Sequence, residues 1–190
     1  MGRAPEFSVS LTPDSCIAAA LMIILVPFPW LVAWLLAVIV HEVFHCLAIC
    51  LCGRDIFGVK IGLHGAQIQT ENLSDPEMFL CAVAGPTGGL LLAFFSSTFT
   101  ELAVCGVLQS MFNLLPLYPL DGGRALHALA RMLFPEQFAC NLCATVKFVF
   151  LTGVMILGVF AAFAWNLGML PMLFSMLLAV RVWRIKIPCK

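Results

Sequence analysis

Charge is scarce in this sequence. Charged residues make up 11% of the 190 residues and hydrophobic residues 62%, whereas an ordinary globular chain is about a quarter charged. Too few polar side chains are present to cover a water-soluble globule, so this composition predicts a membrane protein with several spans. Lysine and arginine form no cluster interleaved with aromatic residues, so we predict a lipid bilayer as the surroundings and no nucleic-acid partner.

The N-terminal residues 1–15, MGRAPEFSVSLTPDS, lack the basic start and the cleavage site of a removable signal peptide. We therefore expect the first apolar run to remain in the protein. Cysteine is not scarce, since the chain has nine. Most of them lie in apolar runs, where cysteine behaves as a small hydrophobic residue. Cys140 and Cys143 form a CxxC, but no second such pair completes a zinc ribbon.

Long apolar runs predict six transmembrane helices. As one helix, the run from Cys16 to Cys52 would be about 54 Å long against a hydrocarbon core of about 30 Å. Pro27 and Pro29 predict a break inside this run, because each proline removes a backbone donor and clashes with the preceding turn. The six predicted helices lie at about residues 16–28, 30–52, 78–97, 100–117, 144–164 and 167–182.

The basic residues support this count. With six spans, the 10 lysines and arginines all lie on or near one side of the membrane. The turns on the opposite side, at about 27–29, 98–101 and 165–166, contain none. Because lysine and arginine are enriched in cytoplasmic loops, the sequence predicts that both termini are cytoplasmic.

Two segments are not typical of simple spans. Residues 56–70, IFGVKIGLHGAQIQT, alternate in part and predict a short β-hairpin that turns near Leu63-His64-Gly65, with Phe7–Leu11 as a possible neighbouring strand. Residues 113–124, NLLPLYPLDGGR, contain two prolines and two glycines and predict an interruption of the fourth helix. Helix is expected to resume at about 122–134.

The second predicted span contains HEVFH, which is His41-Glu42-Val-Phe-His45. Residues four apart share a helix face, so His41 and His45 can hold one ion. In HExxH metallohydrolases two such histidines bind zinc and the glutamate is the general base. Ionisable groups at membrane depth are costly and are candidates for function. The alternative is that both histidines form hydrogen bonds across a helix interface, with Glu42 protonated.

A catalytic zinc ion commonly has three protein ligands and an open position for water. Asp121 is the best candidate for the third ligand, because Pro116 and Pro119 break a membrane helix just before it. An alternative role for Asp121 is to cap the helix that follows. Five other acidic residues lie in polar loops or on the wrong side of the membrane: Glu71, Asp75, Glu77, Glu101 and Glu136.

Together, HEVFH and Asn113-Leu-Leu-Pro-Leu-Tyr-Pro-Leu-Asp121-Gly122 resemble the two-part signature of the site-2 protease family of intramembrane zinc proteases. Ala84-Gly85-Pro86 also resembles an element of that family. The resemblance covers roughly residues 7–134 and is greatest to the compact sporulation branch. It implies an all-α polytopic membrane protein of about six transmembrane helices, with a membrane-re-entrant β-hairpin between the second and the third.

The resemblance also implies roles for individual residues. His41, His45 and Asp121 would hold one Zn²⁺ per chain, and Glu42 would activate a water molecule. Asn113 would bind the substrate backbone or the developing oxyanion, although a cap or turn role at the helix break is an equal alternative. The hairpin at 56–70 would bind an unwound substrate as an added strand.

These implications predict a single membrane-embedded metalloprotease domain over 1–190. It comprises a catalytic core at 16–134 and two C-terminal helices at 144–182, with no CBS or PDZ domain. The expected substrate is a membrane protein, such as a transcription-factor precursor, cut near the cytoplasmic face of a bacterial cell membrane. Regulation is then expected to depend on other membrane proteins or on trimming of the substrate beforehand.

Two other functions remain compatible with the motif. A catalytically silent zinc-binding scaffold or sensor would have no use for the base Glu42. A zinc transporter would need polar groups in several spans, and the fifth and sixth predicted spans contain almost none.

Overall fold

The computed structural model of the protein describes residues 8–11, 22–62, 65–164 and 169–184. The chain divides into two compact units, Met1–Asn113 and Leu114–Lys190. This boundary falls inside the predicted catalytic core, and the single domain over 1–190 stays a prediction. The elements in chain order are β1 (Ser8–Leu11), α1 (Phe28–Leu51), β2 (Ile56–Gly62), β3 (Gly65–Thr70), α2 (Asp75–Leu91), α3 (Thr100–Asn113), α4 (Asp121–Leu133), α5 (Glu136–Ala164) and α6 (Leu170–Arg184).

Three of the described helices are long and apolar enough to cross a membrane. They are α1, with 24 residues, α2 continued by a short 3-10 helix to Phe95, with 21 residues, and α5, with 29 residues. α3 has only 14 residues, or about 21 Å of helix at 1.5 Å per residue. The structure therefore supports a helical membrane protein, while the count of six spans stays a prediction. Of the predicted first span, residues 22–25 are helical and 16–21 lie outside the described residues.

Several helix starts differ from the prediction, among them those of α2, at Asp75 and not 78, and α6, at Leu170 and not 167. α1 begins at Phe28 and not at Trp30, with Pro27 as its N-cap, because a proline at the first helical positions has no intrahelical hydrogen bond to lose. α5 begins at Glu136 and not at 144. Its polar first two turns suggested a loop, yet helical structure starts directly after Pro135.

A three-stranded sheet belongs to the first unit. β2 and β3 are antiparallel, with Ile56 opposite Thr70 and Gly62 opposite Gly65. β1 pairs with β2 in parallel, with Ser8 opposite Gly58, so the order is β1-β2-β3. Both strands of the expected hairpin thus lie within 56–70. Two residues of its predicted tip, 63–64, lie outside the described residues, and the position of the sheet relative to a membrane stays a prediction.

The helices of the first unit pack pairwise, α1 on α2 and α3, and α2 on α3. The contact between α2 and α3 depends on small residues. A Cβ added at Gly89 would overlap the Ser110 Oγ, and a Cβ at Gly106 would lie 2.6 Å from the Gly89 carbonyl oxygen. Small residues four apart allow membrane helices to approach closely. These contacts hold α2 in a fixed position beside the helix that contains HEVFH.

The connection between α1 and α2 is held by charged groups. The Arg54 guanidinium donates to both oxygens of the Glu77 carboxylate at 3.0 Å. Glu77 also accepts hydrogen bonds from the Ser74 backbone N–H and hydroxyl, both at 2.7 Å, at the start of α2. The hydrogen bond and the charge of Glu77 raise the pKa of Arg54 above its ordinary value. The pairing of Arg54 with Glu77 thus joins the segment that follows α1 to the first turn of α2.

In the second unit, the segment 114–120 folds back over the first turn of α4. A Cβ at Gly122 would overlap the Leu114 carbonyl oxygen, and one at Gly123 would overlap the Tyr118 backbone nitrogen. Leu117 is fully buried and packs with Leu151 and Val182. The two glycines are thus required by the close approach of the proline-rich segment, as the predicted interruption at 113–124 implies.

Candidate metal centre

The HEVFH motif lies on α1 within the first unit. His41 is 3% exposed, and Glu42 and His45 are half-buried. The Nε2 atoms of His41 and His45 are 3.1 Å apart, and the two rings are nearly perpendicular, at 81° with centroids 4.8 Å apart. The helical spacing therefore places the two Nε2 atoms beside each other.

A hydrogen bond to the neighbouring helix fixes the His45 ring. Its Nδ1 lies 2.7 Å from the Cys81 carbonyl oxygen on α2. A carbonyl oxygen only accepts hydrogen bonds, so Nδ1 must donate and bear the proton. In a neutral imidazole the lone pair is then on Nε2, the atom that faces His41. Metal-binding histidines usually donate their second ring N–H to a carbonyl or a carboxylate in this way.

The pair fits a zinc ion by distance and by donor chemistry. Zn–N bonds of 2.0–2.1 Å at a tetrahedral angle place two ligand nitrogens about 3.3 Å apart, and the observed separation is 3.1 Å. Two imidazoles with converging lone pairs repel each other unless a proton or a metal ion lies between them. The two ring nitrogens thus lie at the separation expected of zinc ligands, which is also that of a hydrogen bond between the two rings.

Glycines on α2 make room for the side chains of the motif. A Cβ added at Gly85 would overlap the His45 Nε2 and would lie 2.5 and 2.7 Å from its Cε1 and Cδ2. One turn later, a Cβ at Gly88 would lie 2.5 Å from two carbons of the Phe44 ring. The sequence singled out Ala84-Gly85-Pro86 only as a family element. These contacts between α1 and α2 explain why position 85 is a glycine: a side chain there would overlap the His45 ring.

The other two predicted site residues lie at helix ends. Asn113 is the last residue of α3 and is half-buried. Asp121, in the second unit, is the first residue of α4 and is 8% exposed. The N-cap of α4 is Leu120 and not Asp121, so the alternative capping role is wrong. Asp121 instead lies in the first helical turn, where a carboxylate is stabilised by the helix dipole.

His127 on α4 is buried, at 8% exposure. α4 packs against α5, with Ala130, Ala139 and Cys143 in their core. The Cys81 carbonyl and Gly85 were not predicted as parts of the site, because their contacts with His45 join residues about forty positions apart.

Comparison with known proteins agrees with this fold and motif. The fold is similar to that of the site-2 protease from Methanocaldococcus jannaschii, with a TM-score of 0.63 and 16% sequence identity. The match covers 100% of this chain and 97% of that protein. At this identity the likeness concerns the fold alone.

Sequence comparison identifies the family. A family model described as Peptidase M50B-like matches residues 15–118, which is more than half of the chain. The chain therefore belongs to the Peptidase M50B-like family, and the resemblance to site-2 proteases is confirmed.

Two named proteins are similar in sequence to parts of this chain. Stage IV sporulation protein FB of Bacillus subtilis is 29% identical over an alignment of 167 residues that covers 80% of this chain and 58% of that protein. A Synechocystis sp. protein, provisionally named a zinc metalloprotease, is 29% identical over 132 residues. This alignment covers 57% of this chain and 35% of that protein. The chain thus spans less than two thirds of the length of either relative.

Proposed function

We propose that this chain is an intramembrane zinc metalloprotease that hydrolyses peptide bonds of membrane-associated or transmembrane proteins near the cytoplasmic face. The observation that carries the proposal is the pair of converging Nε2 atoms, 3.1 Å apart, with the His45 Nδ1 donating to the Cys81 carbonyl. Such an oriented pair next to a glutamate, on a helix able to cross a membrane, is a costly arrangement without a metal ion.

His41, His45 and Asp121 are proposed to hold one zinc ion. Two imidazoles and one carboxylate are a ligand set found in zinc hydrolases, and three protein ligands leave the fourth position for water. The two-part signature supports Asp121, as does its burial at the start of α4. When bound, zinc lowers the pKa of water to about 7 and polarises the carbonyl to be cleaved.

Glu42 is proposed to be the general base. It follows His41 directly and is three residues before His45, so it shares the turn of α1 that bears both histidines. Its carboxylate would take a proton from the attacking water and pass it to the leaving amine. A zinc-binding scaffold or sensor would not need this group, which favours the protease over that alternative.

Asn113 is proposed to bind the substrate backbone or the developing oxyanion. Its side-chain amide can donate to an oxygen that gains negative charge in the transition state. Its position at the end of α3, a helix that packs against α1, supports this role. The sheet of β1, β2 and β3 is proposed to bind substrate as an added strand, since a transmembrane helix must be unwound before its peptide bonds can be hydrolysed.

The test of this function is a pair of matched variants in liposomes. Glu42→Gln keeps the size of the side chain and removes the base, while Glu71→Gln makes the same change at an exposed loop residue. Each purified protein is reconstituted with a panel of tagged single-span membrane proteins. We expect wild type and Glu71→Gln to cleave at least one panel member, and Glu42→Gln to cleave it about 10²–10⁴-fold more slowly with its zinc content unchanged.

Cleavage by Glu42→Gln at the wild-type rate would contradict the role of the base and the protease itself. Loss of zinc in Glu42→Gln would contradict the assignment of Glu42 to catalysis alone. Transport of zinc into vesicles by both wild type and Glu42→Gln would favour a transporter instead.

A further inference from the structure

The His45 ring lies against α2 at Gly85. The proposed roles of His41, His45, Asp121 and Glu42 do not explain this close contact. We propose that Gly85 is a positioning residue for the metal site. The absence of a side chain at Gly85 would allow the His45 ring to lie close enough to α2 for its Nδ1 to reach the Cys81 carbonyl. The inference rests on the proposed function, because it assigns His45 as a zinc ligand.

The first step of the argument is steric. A Cβ at Gly85 would lie within 3.0 Å of three atoms of the His45 ring: Nε2, Cε1 and Cδ2. Real Cβ atoms are essentially never this close to other heavy atoms, so any residue but glycine must displace the ring. Packed helix interiors tolerate such a displacement poorly, because neighbouring side chains fill the space around them. Gly88 has the same relation to Phe44, so the ring beside His45 is confined as well.

The second step concerns the proton. The hydrogen bond of 2.7 Å from Nδ1 to the Cys81 carbonyl selects the tautomer whose Nε2 lone pair is available to a metal. If the ring moves away from α2, this bond is lost and the alternative tautomer, with its proton on Nε2, is no longer excluded. Loss of such an outer contact typically lowers metal affinity about 10–100-fold.

The third step separates this effect from helix stability. Alanine has a higher helix propensity than glycine, so Gly85→Ala does not weaken α2 through its backbone. Gly153 on α5 has no atom within 4 Å of an added Cβ, so Gly153→Ala is a matched control. Gly88→Ala crowds Phe44 and not His45, and so controls for overpacking between α1 and α2.

The experiment measures metal binding by the full chain in detergent. Zinc affinity is obtained by competition with a chromophoric chelator, and Co²⁺ replaces zinc so that its absorption spectrum reports ligand geometry. We expect Gly85→Ala to bind zinc about 10–100-fold more weakly than wild type and to have an altered Co²⁺ spectrum. Gly153→Ala should match wild type in both, and Gly88→Ala should melt at a lower temperature with an unaltered spectrum.

If Gly85→Ala fails to fold, the double variant His45→Ala/Gly85→Ala decides. Removal of the ring removes the overlap, so folding should be restored, and a double variant that stays unfolded would overturn the proposal. Wild-type zinc affinity and spectrum in Gly85→Ala would overturn it too, as would an equal spectral change in Gly88→Ala. A wild type that binds neither metal would refute the proposed zinc site and this inference with it, whereas metal binding without proteolysis would refute only the proposed enzyme.

Discussion

A histidine binds a metal ion only through a nitrogen with a free lone pair, so the position of one proton decides which ring nitrogen of His45 can be a ligand. The Cys81 carbonyl holds that proton on Nδ1, and the Nε2 then faces the Nε2 of His41 at 3.1 Å. The protein thus orients the pair through contacts within the first unit. The histidine arrangement is built into the packing of α1 on α2.

This arrangement predicts the effect of metal removal. Treatment with a chelator should stop proteolysis while circular dichroism shows unchanged helical content, because α1 remains packed against α2 and α3. The melting temperature should fall, since a ligand at about 1,000 times its dissociation constant stabilises a protein by about 4 kcal/mol. Added zinc should restore both properties. Loss of helical content on metal removal would instead assign zinc a role in folding.

At the residue scale, the sequence predicted one part of the centre well and another part not at all. The spacing of His41 and His45 predicts convergence, because residues four apart share a helix face. The roles of Gly85 and of the Cys81 carbonyl could not be predicted, since they depend on how α2 packs against α1. A backbone acceptor also leaves no signal in the sequence, because every residue has one.

At the scale of elements, the proline-rich segment before α4 depends on one buried side chain. Leu117 is 0% exposed and packs with residues of α5 and α6, whereas Leu114 in the same segment is 40% exposed. Leu117→Ala should lower the free energy of unfolding by about 2–5 kcal/mol through the cavity it leaves. Leu114→Ala is the matched control and should have little effect. Unfolding in detergent with added denaturant measures both, and equal effects would contradict the packing described for Leu117.

The ends of elements were harder to predict than their existence. The break between α3 and α4 followed from the two prolines, and α4 at Asp121–Leu133 differs by one residue at each end from the expected 122–134. The start of α5 was missed by eight residues, because its first turns are polar while helix formation there depends on packing against α4. β1 pairs with β2 in parallel, and this pairing joins residues far apart in the chain. The alternating pattern at Phe7–Leu11 predicted a possible strand but not the direction of its pairing.

At the scale of the whole molecule, the distribution of basic residues makes a prediction about the membrane. If both termini are cytoplasmic, a reporter active only in the cytoplasm should work when fused at either end. The physical reason is the cost of translocating the basic residues that flank the spans. Fusions in the polar segment between β3 and α2, near Asn72, should also report the cytoplasm. Opposite results for the two termini would require an odd number of spans and would contradict the six-helix interpretation.

The central claim is that His41, His45 and Asp121 hold one zinc ion, and it is tested most directly by counting zinc atoms per chain. The measurement compares purified wild type with Asp121→Ala, with Asp55→Ala as the matched change at an exposed residue. We predict about one zinc per chain in wild type and in Asp55→Ala, and a marked loss in Asp121→Ala. A folded wild type without zinc, or an Asp121→Ala variant that retains all of it, would contradict the account.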